Sequence, residues 1–221
     1  MDIRSYIDDL KEENLLVNFD DVSFNVSNIA YDSKKVSKGT LFVCKGAAFK
    51  KQYLEEAIEK GACCYVSEDC HDVNIPQIRV GDIRKAMAVI AGRFYDHPDR
   101  KLTLIGITGT KGKTTTAYYI KAILDRFLLN SGKKPAGILS GIFNYYGEDY
   151  EESSLTTPET FELFEKLSEA AENGLEYLVM EVSSQALKYH RTYGLRFDFA
   201  GYLNLDEDHI SPGEHSDFED Y

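Results

Sequence analysis

The residues with the clearest chemical potential are a run of glycines, lysines and threonines at 109–116, Gly-Thr-Lys-Gly-Lys-Thr-Thr-Thr. An apolar, strand-like run precedes it at 102–107, and helix-like sequence follows from Thr114 to Leu129. A strand, a glycine-rich turn and a helix form the arrangement that binds nucleotide phosphates, because backbone N–H groups and the helix N-terminus attract the anion. We expect the Lys113 side chain to reach the β- and γ-phosphates and the Thr114 hydroxyl to bind Mg²⁺.

The glycine spacing differs from the standard P-loop pattern, since Ile107 stands where the first glycine is expected. Glycines recur instead at every third residue, as Gly106, Gly109 and Gly112. A flexible turn is the alternative interpretation of such a run. The flanking strand and helix favour a phosphate loop.

Composition restricts the class of protein. The formal net charge of -12 argues against a nucleic-acid-binding surface. No apolar run approaches the ~18–20 residues that span a bilayer, and the N-terminus lacks the basic-then-apolar form of a signal peptide. We therefore expect a cytoplasmic protein with no membrane contact. The cysteines lack zinc-finger spacing, and we expect reduced thiols at Cys44, Cys63, Cys64 and Cys70.

The chain of 221 residues exceeds the usual size of one domain, and its pattern changes near Pro98. We predict an α/β fold with two domains, residues 1–98 and residues 99–221. The first domain alternates helices and short strands. Its predicted helices begin near Ile3, Tyr53 and Asp82, and its predicted strands lie at 40–44, 62–66 and 77–80.

The second domain alternates more regularly. Its predicted strands lie at 102–107, 136–140, 177–180 and 199–203, and its predicted helices lie at 114–129 and from Pro158. A tyrosine-rich hairpin or loop is expected at 144–147. Apolar strands separated by helices indicate a parallel sheet covered on both faces.

Polar residues follow two of these strands. Glu181 comes directly after the strand at 177–180, and Asp208 and His209 follow the strand at 199–203. Ligands bind beyond the carboxyl ends of strands in open parallel sheets. If both strands neighbour the phosphate-loop strand, Glu181 and His209 lie near the γ-phosphate and suit Mg²⁺ held against phosphate oxygens.

Several segments, taken in order, resemble motifs of the Mur ligases. They are the loop at 106–115, Thr156-Thr157-Pro158-Glu159, the run at 180–187 and Asp208-His209. Segments 32–36 and 39–46 resemble the uridine-binding region of one branch, the UDP-N-acetylmuramoyl-dipeptide ligases (MurE), which add the third peptide residue. The resemblance spans nearly the whole chain. It implies a uridine-binding N-terminal domain and an ATP-binding central domain.

Some positions depart from the family pattern. The chain has Phe49-Lys50-Lys51 where an Asp-Gly pair is frequent, Gln185 in place of a histidine, and Tyr189 in place of a glutamine. These departures suggest a divergent member of the MurE branch.

The resemblance implies an ATP- and Mg²⁺-dependent ligase of peptidoglycan precursor synthesis. Such an enzyme phosphorylates the carboxylate of a UDP-N-acetylmuramoyl peptide, and an amino acid then attacks the acyl phosphate. It implies catalytic roles for Lys113, Glu181 and His209, and a metal site of Thr114, Glu181 and His209. It also implies nucleotide contacts from Gly109, Thr110, Lys111, Gly112, Lys113, Thr114 and Thr115. The implied contacts to the UDP-linked substrate are Ser33 with the uracil, and Thr156, Thr157, Ser183 and Arg191 with the muramoyl part.

Mur ligases have three domains, and this chain resembles the first and part of the second. We expect the family's carbamoylated lysine shortly beyond Tyr221. We expect a monomer. A 221-residue piece that lacks this metal ligand and the amino-acid-selecting domain is expected to be inactive alone.

Three alternatives remain open. A folylpolyglutamate or cyanophycin synthetase shares the phosphate loop, although the uridine-type first domain argues against it. A P-loop NTPase or kinase would hydrolyse ATP without a peptide substrate. A non-catalytic nucleotide-binding module would bind UDP-sugar and nucleotide and catalyse nothing.

Overall fold

The computed structural model describes residues 1–46, 48–208, 210–211 and 214–221. They form two compact units, Met1–Phe94 and Tyr95–Tyr221. The sequence pattern predicts a boundary near Pro98, and the two units meet slightly before it, between Phe94 and Tyr95.

Helices of the first unit are α1 (Ile3–Glu12), α2 (Lys51–Glu59) and α3 (Ile83–Phe94), with a short 3-10 helix at Ser33–Lys35. The apolar stripe that predicts α1 is buried along its whole length, from Ile3 to Leu10. The Asp2 carboxylate caps α1 by accepting the Arg4 N–H. Asp82 does the same for α3, as predicted, by accepting the N–H groups of residues 84 and 85.

The first unit contains a five-stranded sheet. Its strands are β1 (Leu16–Phe19), β2 (Asn28–Ala30), β3 (Thr40–Val43), β4 (Ala62–Ser67) and β5 (Gln77–Val80). They lie in the order β1-β5-β4-β3-β2, with β1 antiparallel to β5 and the other neighbours parallel. The predicted strands β3, β4 and β5 are confirmed. The short edge strands β1 and β2 were not predicted, because three or four residues carry too little periodicity.

The second unit contains a six-stranded sheet. Its strands are β6 (Thr103–Thr108), β7 (Gly137–Leu139), β8 (Phe143–Tyr145), β9 (Glu151–Glu152), β10 (Tyr177–Glu181) and β11 (Phe199–Tyr202). Its helices are α4 (Lys113–Asn130), α5 (Thr160–Glu172) and α6 (Ser184–Lys188), with a 3-10 turn at Pro98–Arg100. The strand order is β11-β6-β10-β7-β8-β9.

Strands β11, β6, β10 and β7 are mutually parallel, which confirms the predicted parallel sheet. The tyrosine-rich segment forms an antiparallel hairpin, β8–β9, at its edge. A buried cation joins this hairpin to α4, because the Lys121 ammonium lies 2.7 Å from the Asp125 carboxylate and 5.2 Å from the centre of the Tyr145 ring. Asp125 also accepts the Ala136 N–H just before β7. A paired and hydrogen-bonded ammonium avoids the cost of burying an isolated charge.

Coverage of this sheet is uneven. The Leu178–Glu181 part of β10 is buried, whereas Phe199 and Tyr202 of β11 are 63% and 64% exposed. The prediction that both faces are covered therefore holds for the centre of the sheet and is wrong for β11.

Within the described part of the chain, no helix combines the length and the apolar character needed to cross a bilayer.

The burial of the cysteines in the first unit predicts how fast each thiol reacts. Cys44 and Cys64 are buried and Cys70 is exposed, and burial raises the pKa of the Cys44 thiol to about 12. Since the thiolate is the reactive form, the exposed Cys70 should react with a thiol reagent at pH 8 well before Cys44 and Cys64. Cys44 and Cys64 should react only when the unit unfolds.

Mass spectrometry of alkylated peptides, taken over a time course, measures each rate separately. The Cys70→Ser variant serves as control and should leave the slow rates at Cys44 and Cys64 unchanged. Equal rates at Cys44 and Cys70 in the folded chain would contradict this arrangement of the first sheet.

Candidate functional site

The phosphate-loop strand lies between the two strands that carry the predicted polar residues. β6 pairs with β10 on one side and with β11 on the other, all parallel. The register places Glu181 beside Ile107, directly before the loop begins. The condition on which the predicted site depends, that both strands neighbour β6, is therefore met.

The loop ends where α4 begins. Gly112 is the N-cap residue of α4, and its φ of 86° is a left-handed conformation that glycine adopts without strain. No protein acceptor is found, among the described residues, for the N–H groups of residues 112–115. These unbonded donors at a helix N-terminus, together with the helix dipole, can bind an anion.

The three spaced glycines serve different purposes. A Cβ atom on Gly106 would lie 2.8 Å from the ring of Phe197, so this glycine is required by packing. A Cβ atom on Gly109 would lie 3.1 Å from the backbone of Asn204, and Gly109 has a φ of 137°. The space beside Gly112 is open except for Leu203 at 3.7 Å. Only Gly112 therefore lies at the start of the helix, next to the free N–H groups.

The Lys113 ammonium turns back onto the loop. It donates to the carbonyl oxygen of Gly109 at 2.6 Å and to that of Thr110 at 3.1 Å. Burial lowers the pKa of Lys113, while the negative charges of Glu181 and Asp208 act in the opposite direction. A phosphate close to Lys113 would supply a full negative charge in place of the two carbonyl dipoles. This lysine is thus placed to bind a phosphate oxygen.

Glu181 joins α4 to the end of β7. One carboxylate oxygen accepts the Thr114 hydroxyl at 2.9 Å, and the other accepts the N–H of Gly141 at 3.0 Å. The residue is only 1% exposed. Both oxygens are therefore held in fixed positions beside the first turn of α4.

The pair formed by Thr114 and Glu181 suits Mg²⁺. Magnesium in nucleotide sites is held by one or two protein oxygens, by substrate phosphates and by water. No group of three or more His, Cys, Asp or Glu side chains in the described ranges is arranged to hold a metal ion by itself. His209, the third predicted ligand, lies outside the described residues.

The predicted muramoyl contacts form a cluster that continues from Glu181. Thr157 is completely buried; its hydroxyl donates to the Glu181 carbonyl at 2.9 Å and accepts the Ser183 N–H at 3.0 Å. Ser183 caps α6 by accepting the Ala186 N–H. Thr156 is half-buried beside Gly141. The buried Thr157 hydroxyl therefore connects residues of the protein, and Thr156 and Ser183 are more accessible.

Arg191 is buried and extends across the same segment. One terminal nitrogen donates to the Thr157 carbonyl at 3.1 Å, and the other lies 2.5 Å from a carboxylate oxygen of Glu159. Its Nε atom is buried without a hydrogen-bond partner in the described structure. An unpaired buried donor is costly, so this guanidinium retains capacity for one further acceptor.

Ser33, the predicted uracil contact, belongs to the first unit. It is buried, and its hydroxyl donates to the Glu56 carboxylate at 2.8 Å. The Lys60 ammonium donates to the Ser33 carbonyl at 2.9 Å. The hydroxyl oxygen keeps acceptor capacity for a ligand N–H.

Sequence reasoning missed two residues of the site, Gly141 and Asn204. Gly141 supplies the N–H that fixes Glu181, and Asn204 contacts the loop residues Thr110 and Lys111. Both follow strands at the carboxyl edge of the sheet, β7 and β11. Their positions after strand ends are the same signal that predicts Glu181.

The buried Thr157 hydroxyl yields a prediction on stability. Thr157→Val removes the hydrogen bonds to the buried Glu181 carbonyl and to the partly buried Ser183 N–H, at a total cost of about 1–3 kcal/mol. Urea unfolding of the second unit should show this loss, and Thr157→Ser should recover most of it. Thr156→Val, a neighbouring and more accessible control, should change the unfolding free energy by no more than ~0.5 kcal/mol. Equal effects of the two valine variants would contradict the internal role of Thr157.

Comparisons with known proteins identify the family of this chain. The family model of the Mur ligase middle domain matches residues 107–221, just over half of the chain. One relative is the UDP-N-acetylmuramoyl-L-alanyl-D-glutamate--L-lysine ligase of Streptococcus pneumoniae serotype 2. It is 45% identical to this chain, and the match covers 99% of this chain and 46% of the relative. A UDP-N-acetylmuramyl-tripeptide synthetase of Lactococcus lactis subsp. cremoris is 48% identical over 89% of this chain and 40% of its own length.

Solved structures share the fold. A UDP-N-acetylmuramoyl-L-alanyl-D-glutamate--2,6-diaminopimelate ligase superposes with a TM-score of 0.69 at 24% identity, over 85% of this chain and 38% of that chain. MurF from Acinetobacter baumannii superposes with a TM-score of 0.58 at 20% identity, over 97% of this chain and 43% of that chain. The chain spans about half the length of the curated relatives that it matches. The match of its second half to the middle domain, together with relatives at 45–48% identity, shows that the chain belongs to the Mur ligase family.

Proposed function

We propose that this chain carries the nucleotide-binding part of an ATP-dependent ligase that adds an amino acid to a UDP-N-acetylmuramoyl peptide in peptidoglycan precursor synthesis. The proposal rests on the Glu181 carboxylate, which accepts the Thr114 hydroxyl beside the Lys113 ammonium and beside N–H groups of residues 112–115 that have no acceptor among the described residues. In this assignment residues 99–221 bind ATP and residues 1–98 bind the UDP part through Ser33. The names of the relatives at 45–48% identity support the substrate class.

The first chemical step is phosphoryl transfer. A carboxylate oxygen of the peptide attacks the γ-phosphorus, and the bond from that phosphorus to the bridging oxygen breaks as ADP leaves. This step depends on positioning and charge stabilisation more than on covalent help from the protein. The N–H groups of residues 112–115 would bind phosphate oxygens, and the Lys113 ammonium would exchange its two loop carbonyls for the γ-phosphate.

Thr114 and Glu181 would hold Mg²⁺ between them, with His209 as a further ligand. When bound, the ion neutralises charge on the phosphate oxygens. The hydrogen bond from Gly141 keeps one Glu181 oxygen in place while the other exchanges its Thr114 partner.

The second step forms the amide. The amine nitrogen of the incoming amino acid attacks the acyl carbon, the bond from carbon to the phosphate oxygen breaks as inorganic phosphate leaves, and the nitrogen releases its proton to solvent. We propose L-lysine as this amino acid, because the streptococcal relatives carry it in their names. Thr156, Ser183 and Arg191 would bind the muramoyl peptide, with the unpaired Nε of Arg191 donating to it. ATP and UDP-linked precursors are cytoplasmic compounds, which supports a cytoplasmic location.

The nucleotide site is tested by Lys113→Ala in the 221-residue chain. Loss of a charge-assisted hydrogen bond should weaken ATP binding by about 1.5–3 kcal/mol, measured by calorimetry. The loss should be smaller for ADP, which lacks the γ-phosphate. Lys101→Ala, an exposed lysine of the same unit, should bind both nucleotides normally. Equal losses for ATP and ADP would contradict a γ-phosphate contact.

The ligase activity is tested on the protein encoded by the complete reading frame that contains this chain. With UDP-N-acetylmuramoyl-L-alanyl-D-glutamate, ATP and Mg²⁺, we expect one phosphate released per amide formed, dependent on L-lysine. Diaminopimelate should support a much lower rate. Phosphate release that requires neither peptide nor amino acid would instead indicate a simple NTPase.

A further inference from the structure

Asn204, which lies shortly after β11, makes three hydrogen bonds to the phosphate loop. The Asn204 side-chain oxygen accepts the Lys111 N–H at 2.9 Å, and its amide nitrogen donates to the Lys111 carbonyl at 3.1 Å. Its own carbonyl accepts the Thr110 N–H at 3.1 Å. Asn204 therefore binds two consecutive loop residues, entirely through their backbone groups.

These bonds distinguish the first half of the phosphate-binding segment, Thr110 and Lys111, from its second half, which is Gly112 with the first residues of α4. The N–H groups of Thr110 and Lys111 are engaged by Asn204 and are not directed at a ligand. The N–H groups of residues 112–115 have no acceptor within the described structure. A phosphate at this loop would consequently be bound by the second half, while the first half anchors the loop to the sheet.

The packing at Gly109 supports the anchoring role. A Cβ atom on Gly109 would lie only 3.1 Å from the backbone nitrogen and oxygen of Asn204. That separation is closer than ordinary contact, so a larger residue would push the two segments apart. The loop and the segment after β11 can thus approach closely enough to form the three hydrogen bonds.

The Thr110 side chain makes a second connection between the loop and the segment after β11. The Thr110 hydroxyl accepts the Asp206 N–H at 2.9 Å and lies 2.7 Å from the Tyr221 hydroxyl. Thr110 is 5% exposed, so its side chain faces the protein. Both connections attach the first half of the loop to the segment that continues toward Asp208.

We propose that Asn204 is a positioning residue that fixes the phosphate loop, so that the N–H groups of residues 112–115 and the Lys113 ammonium meet the nucleotide phosphates. The nucleotide part of this assignment rests on the proposed function. The anchoring part rests only on contacts within the chain. Because Asn204 bonds backbone groups, the role does not depend on the exposed Lys111 side chain.

Hydrogen exchange of the nucleotide-free chain tests the anchoring directly. In the wild type, the Thr110 and Lys111 amides should exchange more slowly than those of residues 112–115. Asn204→Ala should accelerate the Lys111 amide about three- to tenfold, the effect of losing one such hydrogen bond. Asn130→Ala is the matched control, at the far end of α4 and roughly 25 Å away along the helix. It should leave both loop amides unchanged, and the α5 amides should report that every variant is folded.

Nucleotide binding tests the consequence. Asn204→Ala should weaken ADP binding by about three- to tenfold, whereas Asn130→Ala should not. An unchanged Lys111 exchange rate, or unprotected Thr110 and Lys111 amides in the wild type, would overturn the anchoring. Faster exchange with unchanged ADP affinity would overturn the positioning role. A wild-type chain that binds no nucleotide would overturn the ATP part of the proposed function, and the exchange rates would still decide whether Asn204 anchors the loop.

Discussion

The parallel pairing of β6 with β10 and β11 is the constraint on which the candidate site depends. It places Glu181 beside Ile107 and brings the segment after β11 against the loop. Residues separated by 67 positions, Thr114 and Glu181, then share a hydrogen bond of 2.9 Å. A change in register of one residue would direct every side chain of β10 to the opposite face and remove Glu181 from the loop.

Contacts within the chain organise the loop for an anion. Its first half is attached to the protein through Asn204, and the N–H groups at the start of α4 have no acceptor within the described structure. The Lys113 ammonium is held meanwhile by two loop carbonyls. A prearranged site of this kind loses little conformational entropy when a phosphate binds. Hydrogen bonds continue from the loop through Glu181 and the buried Thr157 toward the proposed muramoyl contacts.

Much of this arrangement could be predicted from the sequence. A glycine-rich turn between a strand and a helix indicates the phosphate loop, and polar residues at strand ends identify Glu181. Local patterns could not show that the Thr157 hydroxyl bonds Glu181 or that Asn204 bonds Lys111, because these contacts depend on strand order. Ser33 illustrates the same limit, since its Glu56 partner lies 23 positions away on another helix. The roles of the site residues remain predictions, and His209 lies outside the described residues.

The proposed ATP site is the start of α4 with Lys113, Thr114 and Glu181. The most direct measurement is a crystal structure of this chain with Mg²⁺ and a non-hydrolysable ATP analogue. We predict phosphate oxygens on the N–H groups of residues 112–115 and the Lys113 ammonium moved from the Gly109 carbonyl to the γ-phosphate. The ion should lie between Thr114 and Glu181. A triphosphate bound elsewhere, or bound with the Lys113 ammonium still on the loop carbonyls, would contradict this assignment of the ATP site.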